Sequence, residues 1–304
     1  MYDTVNIWID RVDMSGGNTL DILPCLSDIT EIRSERGHSF TGKIQGYSVR
    51  VYEHGISLNG SLAKFFFAGE NTSTMTRRAT QDAIRNLSDV LHVDMKQAKV
   101  CRADVATVIN TKYKPEAYFG YLGDKPHFRR SHADATTLYY KTNKRVLIFY
   151  DKAAEAKSNI HAGLDGCNLL RYELRFIKGL NEQLKAEVLG ATLYEPAFYE
   201  KIVMRLYDEY KTIQKIKKQN VMTKDIETVR EAETALFAHL LHQSGKSTID
   251  DYISQLKEEN KFSKQRLYEL RKKLNTIYAS PKGEESELGH ELDKWIYEQT
   301  KYAR

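Results

Sequence analysis

Cysteine is scarce in this sequence of 304 residues: Cys25, Cys101 and Cys167 are scattered along the chain. They make neither a disulfide framework nor a CxxC metal clip. That excludes zinc fingers and cysteine-rich secreted folds and fits a reducing compartment. No apolar run approaches the roughly 20 residues that a bilayer-spanning helix needs. The opening stretch MYDTVNIWIDRVD lacks the basic and apolar regions of a signal peptide, so a cytoplasmic protein is expected, with no membrane partner. Low-complexity tracts are also missing.

What is present suits a soluble globular protein of one large or two ordinary domains. Hydrophobic residues make up 41% of the chain, charged residues 29%, and mean hydropathy is −0.55. The net charge of +5 is a weak hint of a polyanionic partner, but its distribution says more. Residues 101–150 carry Arg102, Lys112, Lys114, Lys125, Arg129, Arg130, Lys141, Lys144 and Arg145 against Asp104, Glu116, Asp124 and Asp134. The rest of the chain is balanced. A local basic excess suits contact with phosphates, and a solvated charged surface accounts for it equally.

The pattern predicts an α+β fold: an antiparallel-sheet domain over 1–195 followed by an all-helical region over 196–304. Val5, Ile7 and Ile9 alternate in a first strand within 3–10. The stretch KIQGYSVRVYEHGISLNG, from Lys43, holds two short β runs joined near His54-Gly55. Thr76 is a candidate N-cap for a helix with Ala79, Ile84, Leu87, Val90 and Leu91 as its apolar stripe. Further strands are predicted over 99–109, as a pair over 136–151 turning near Asn143-Lys144, and over 168–177. The segment 110–135, with Pro115, Gly120, Gly123 and Pro126, is expected to be a long loop or partly ordered flap. Pro196 suits a first helical turn, and helices are expected near 197–218, 225–243, 248–259, 263–277 and 286–301.

The strand over 99–109 has an odd interior. Val100, Arg102, Asp104, Ala106 and Val108 are expected on one face, and Cys101, Ala103, Val105, Thr107 and Ile109 on the other. Both faces are mainly apolar, as in a central strand. Arg102 and Asp104 would then share a largely buried face, which is costly unless charges pair or hold a metal. The strand over 168–177 repeats the pattern, with Arg171, Glu173 and Arg175 opposite Leu170, Tyr172, Leu174 and Phe176. Asp104 and Glu173 on adjacent strands can hold a hard divalent cation. A buried arginine–carboxylate network that only orders the sheet fits the same spacing. In RVLIFYDKAAEAK, Val146, Ile148 and Tyr150 share a strand face, and Asp151 N-caps a helix that includes Lys152 and Glu155. Tyr150 thus stands where a strand meets a helix N-terminus. A tyrosine so placed can attack phosphate when a metal polarises the phosphoryl oxygens. With nineteen tyrosines in the chain, nothing in composition singles it out.

The ordered set CRADVATV, LIFYDKAAE and LRYELRF resembles the phage and plasmid replication-initiator family, in particular the gene II/X replication proteins of filamentous phages. It is more remotely similar to the staphylococcal-type plasmid initiators of rolling-circle replication. ISLNGSLAKFF, from Ile56, and MYDTVNIWI also resemble the phage type, so the likeness covers about 1–190. It implies metal-dependent DNA nicking and rejoining through a 5′-phosphotyrosyl intermediate. On the matching positions it implies Tyr150 as the nucleophile of a Y-x-K-x-x-E segment, with Lys152 and Glu155 as its basic and acidic members. Asp104 and Glu173 are the acids that serve the metal, Mg²⁺ or Mn²⁺. Arg102 and Arg171 pair with those carboxylates or reach DNA. Arg129, Arg130, Lys144 and Arg145 are further DNA-contact candidates. Some members carry a glutamate where this chain has Ser57, so a ligand is lost there or Glu53 replaces it. The implied partners are origin DNA, double- and single-stranded, and a host helicase. The competing readings are a non-catalytic replicon control or partition protein on a degenerate initiator scaffold, and an RNA nuclease that forms no covalent adduct.

In 247–277, Ile249, Tyr252, Ile253 and Leu256, then Leu267, Leu270 and Leu274, mark two helices with a short turn. Lys264, Tyr268, Arg271 and Lys272 share a face of the second, which suits a helix-turn-helix reading DNA or an ordinary solvated surface. SGKST at 244–248 lacks the glycine that a phosphate-binding loop needs at Leu240. It reads instead as a helix end at Gly245 and a cap from Ser247 with Asp250. His239 and His242, spaced i, i+3, are expected to be rim or core side chains. No H-x-H pair, the metal signature of a large class of rolling-circle nucleases, occurs.

Overall fold

Alternation of buried and open positions organises one ten-stranded sheet. Its strands are β1 (Tyr2–Asp10), β2 (Ser27–Ser34), β3 (Gly37–Ile44), β4 (Tyr47–Tyr52), β5 (Gly55–Gly60), β6 (Lys99–Asn110), β7 (Arg129–Asp134), β8 (Thr137–Lys141), β9 (Arg145–Asp151) and β10 (Leu169–Phe176). The order is β2-β3-β4-β5-β1-β6-β10-β9-β8-β7, and every neighbouring pair is antiparallel. The computed structural model describes residues 1–14, 17–34, 37–157, 166–216, 226–278 and 287–302. The helices are α1 (Leu62–Phe66), α2 (Arg77–Leu91), α3 (Glu116–Phe119), α4 (Lys152–Lys157), α5 (Leu180–Leu184), α6 (Pro196–Lys211), α7 (Val229–Ser244), α8 (Ser247–Glu258), α9 (Lys264–Tyr278) and α10 (Glu287–Tyr302). None is long and apolar enough to cross a membrane. The α+β expectation holds.

One face of the sheet is dry. Val5 and Ile7 of β1, Ala103 and Val105 of β6, Leu170, Tyr172 and Leu174 of β10, and Leu147 and Phe149 of β9 are all buried. Each large aliphatic or aromatic side chain among them contributes about 1.5–3 kcal/mol when fully buried. Phe149 stacks on Tyr172 with ring centroids 4.5 Å apart. Helix α2 covers part of this core through Ala83, Ile84, Leu87 and Leu91. Thr76 starts it, its hydroxyl accepting from Ala79 N at 3.2 Å. Val90, expected in the apolar stripe, is 40% exposed at the stripe's edge. Helix α6 begins with Pro196 at its first turn. Its Ile202, Val203 and Leu206, with Leu292 and Ile296 of α10, join the same core as the sheet. Helices α8 and α9 close a second, smaller cluster around Ile249, Ile253 and Leu267.

Three local expectations need correcting, and one hairpin lies outside them. Residues 129–134 are not loop but the edge strand β7, paired with β8. The β2–β3 hairpin precedes the runs read from Lys43. In β6 the register moves from Asn6–Arg102 to Ile7–Val100, which leaves Cys101 as an extra residue. That bulge turns Val100 to the core side, away from Arg102 and Asp104. Ser247 does not cap α8; its hydroxyl donates to the Arg130 carbonyl at 3.1 Å. Gly245 does end α7. The predicted helix ends at 217–218, 225 and 286, and the His242 side chain, lie outside the described residues.

Candidate active site

The other face of the sheet carries the charges. On β6 it presents Arg102 and Asp104; on β10, Arg171, Glu173 and Arg175; on β9, Tyr150. The register sets Arg171 directly across from Tyr150 and Arg175 across from Asp104. Two carboxylates, three guanidiniums and one phenol thus share one surface of three adjacent strands.

Asp104 and Glu173 are each 1% exposed. Arg102 grips Asp104 with both arms of its fork, Nε to Oδ1 at 2.9 Å and Nη2 to Oδ2 at 2.6 Å. Arg175 grips Glu173 in the same way, Nε to Oε1 at 2.9 Å, and its Nε lies 3.9 Å from Asp104 Oδ2. Burial pushes the Asp104 carboxyl up to about 6, against the pull of Arg102.

Arg171 is 2% exposed and reaches the other way. Its Nη2 meets Asp3 Oδ2 at 2.7 Å, and its Nη1 donates to the Asn71 carbonyl at 2.7 Å. Asp3 also accepts from Ser61 Oγ at 2.8 Å and from Asn71 Nδ2 at 3.3 Å. Burial raises the proton affinity of Asp3, but Arg171, these hydrogen bonds and Lys152 together hold it below the usual carboxylate value. Sequence reasoning does not reach Asp3, Ser61 and Asn71. The available signal is an acid in the apolar context of MYDTVNIWI.

Tyr150 is half-buried, and its phenol is pushed up by burial, partly offset by Arg171. Asp151 caps α4 as expected, accepting from Ala154 N at 2.9 Å. The first helical residue, Lys152, is 3% exposed and pairs with Glu155. Burial, with Arg171 adding to it, lowers the Lys152 ammonium below its ordinary value. The cations Arg102, Lys152, Arg171 and Arg175 balance the carboxylates Asp3, Asp104, Glu155 and Glu173 one for one.

Carboxylate oxygens are the donors that a hard divalent cation takes, so the chemistry of Asp104 and Glu173 fits Mg²⁺ or Mn²⁺. Among the described residues no group of three His, Cys, Asp or Glu side chains forms a fuller metal cage. Remaining ligands would be phosphate oxygens and water, and Arg102 and Arg175 would have to yield or share their acids. Ser57 lies in register with Trp8, and Glu53 in the β4–β5 turn, both away from these acids.

The other basic candidates lie elsewhere. Lys144 pairs with Glu182 at 3.2 Å, and Arg145 with buried Glu209, at the far end of β9 from Tyr150. Arg129 pairs with Asp251 at 3.0 Å, and buried Arg130 donates to the Phe119 carbonyl at 3.3 Å. On α9, Lys264 and Lys272 are exposed, and Arg271 meets Asp250 at 3.2 Å.

A family model for the N-terminal part of the phage replication-associated protein of the gene II type matches residues 1–195. The chain belongs to this phage replication-initiator family. The match spans every strand of the sheet and all the charged residues gathered around Tyr150. A role in initiating rolling-circle replication follows from family membership. No curated protein matches the chain at a significant level.

Proposed function

We propose that this initiator nicks and rejoins one strand of DNA at a specific site, with Tyr150 as nucleophile and a divalent metal held by Asp104 and Glu173. The observation that carries the reading is the register that sets Tyr150 across from Arg171, with Glu173 two residues further along the same face. The Tyr150 oxygen forms a bond to phosphorus while the bond to the 3′ oxygen breaks. The phenol loses its proton, the leaving oxygen gains one as a 3′-hydroxyl, and the 5′ end remains on the tyrosine. Attack by a 3′-hydroxyl reverses the step and reseals the strand without ATP.

A free phenol has a pKa near 10, and burial raises this one further, so it needs help to ionise. Lys152, two residues along the chain and ion-paired with Glu155, adds a buried positive charge near Arg171 that favours the phenolate. Arg171 is suited to steady the phenolate and the phosphate. When bound, the metal polarises the phosphoryl oxygens and offsets charge in the transition state. Arg102 and Arg175, each about a third exposed, are the guanidiniums placed to turn towards a phosphate.

The test uses supercoiled plasmid bearing the origin with Mg²⁺ or Mn²⁺. Open circles and a protein-linked 5′ end are expected from the wild-type chain and neither from Tyr150→Phe, which still binds DNA. One observation favours a second reading, a non-catalytic DNA-binding protein: both acids already have arginine partners. That reading predicts binding without open circles under every metal condition.

A further inference from the structure

The face that carries Tyr150 continues across β1, β5 and β4, and there it holds a cluster of rings. Trp8 lies 5.5 Å from His54 and 5.9 Å from Tyr52, centroid to centroid, and Tyr52 lies 5.6 Å from His54. Trp8 and Tyr52 are half-buried and His54 is exposed, so the cluster is open to solvent. An open tryptophan would usually be free to turn, but this one is fixed. Its Nε1 donates to Asp10 Oδ1 at 2.7 Å. Its ring lies against Gly55, where a Cβ would come within 2.4 Å of Trp8 Cζ2.

A cation completes the cluster. The Arg50 guanidinium sits 5.4 Å from the centre of the Tyr52 ring. Its Nε is buried and has no hydrogen-bond partner among the described residues, while the residue as a whole is half-buried. The register links this cluster to the nicking site. Trp8 is opposite Lys99, Asn6 is opposite Arg102, and Arg175 is opposite Asp104. Three strand spacings and about nine residues of strand rise put Trp8 roughly 30 Å from Tyr150, with Arg102 and Arg175 between them.

We propose that Trp8, Tyr52 and His54, with Arg50, form a base-stacking platform that holds single-stranded DNA leading to or from Tyr150. The proposal rests on the nicking reading for its substrate class, but it concerns binding alone. Stacking on fixed rings needs unpaired bases with open π-faces, which a duplex does not present. Arg50, Arg102 and Arg175 meet the backbone phosphates along the diagonal. The platform thus selects the single strand that an initiator exposes or displaces.

The protein has two tryptophans, so the Trp295→Phe variant leaves Trp8 as the sole indole reporter. Titration with oligothymidylate should quench its fluorescence saturably, whereas inorganic polyphosphate, which has charge but no bases, should not. In the same background, Tyr52→Leu should weaken single-strand affinity about tenfold or more, and Tyr52→Phe should restore it. Absence of quenching at saturating oligothymidylate, equal quenching by polyphosphate, or wild-type affinity for Tyr52→Leu would overturn the proposal. Failure of the nicking reading would look different: quenching would persist while no covalent adduct formed.

Discussion

Arg171 faces Tyr150 across β10 and β9, and its guanidinium is anchored on Asp3 at 2.7 Å rather than on Glu173 of its own strand. Its Nε stands 3.8 Å from Glu173, so it spans both sides of the charged cluster. Replacing it with leucine leaves Asp3 buried and without its cation. Breaking such a pair costs about 3–5 kcal/mol, which urea unfolding should register. Arg171→Lys keeps the charge and loses the fork. It should recover much of the stability and little of the nicking, which separates anchoring from chemistry in a single-turnover assay.

Asp3 gives the pH dependence. Its folded pKa lies below the usual 3.8, so the unfolded state binds more protons near and below that pH. Its contribution to stability is present in full above about pH 5 and is lost as pH falls through the depressed folded value. Asp3→Asn should therefore be destabilised at pH 7, and the gap to wild type should narrow as pH falls below the ordinary carboxylate value of 3.8. Urea midpoints measured across that range check the sign; a gap that widens in acid contradicts it.

Asp104→Asn and Glu173→Gln test the metal. Each removes a proposed ligand while keeping size, and leaves the arginine fork one acceptor oxygen where it had two. Metal-dependent nicking should fall on the order of 100-fold or more in each, since even outer-shell partners are worth about 10–100-fold. Mn²⁺ titration followed by electron paramagnetic resonance should show weakened binding. EDTA should stop nicking by the wild-type protein, and added Mn²⁺ should restore it.

The exposed face of α9 yields a separate prediction for duplex origin DNA. Lys272 is exposed, whereas Arg271 is partly engaged by Asp250 at 3.2 Å. If this face grips phosphates, Lys272→Ala should lower the slope of log affinity against log salt by about 1. Arg271→Ala should lower it by less. Unchanged slopes in both would assign duplex binding to another surface.

Much of this arrangement is legible because charges break an otherwise apolar strand. Buried charges have to pair or hold a metal, and Arg102, Asp104, Glu173 and Arg175 meet one another, while Arg171 finds its main partner in Asp3. Thr76, Pro196 and Gly245 mark helix ends through local backbone chemistry that tertiary packing leaves intact. The misses have equally physical causes. Strand β2 is open along nearly its whole length, and RRSHAD of β7 is polar, so neither shows the alternation that a half-buried strand leaves in sequence. The Cys101 bulge depends on pairing with β1, which local sequence does not encode. Asp3 stays hidden because its partner Arg171 lies far along the chain.

The most direct test of the account is to identify the amino acid that becomes linked to DNA. Incubation with a labelled single-stranded origin fragment and Mn²⁺, then tryptic digestion and mass spectrometry, reads the site of attachment. The account predicts a nucleotide joined through its 5′-phosphate to the peptide VLIFYDK, residues 146–152, at Tyr150. An adduct on another tyrosine, or cleaved DNA with a free 5′-phosphate and no adduct, would contradict it.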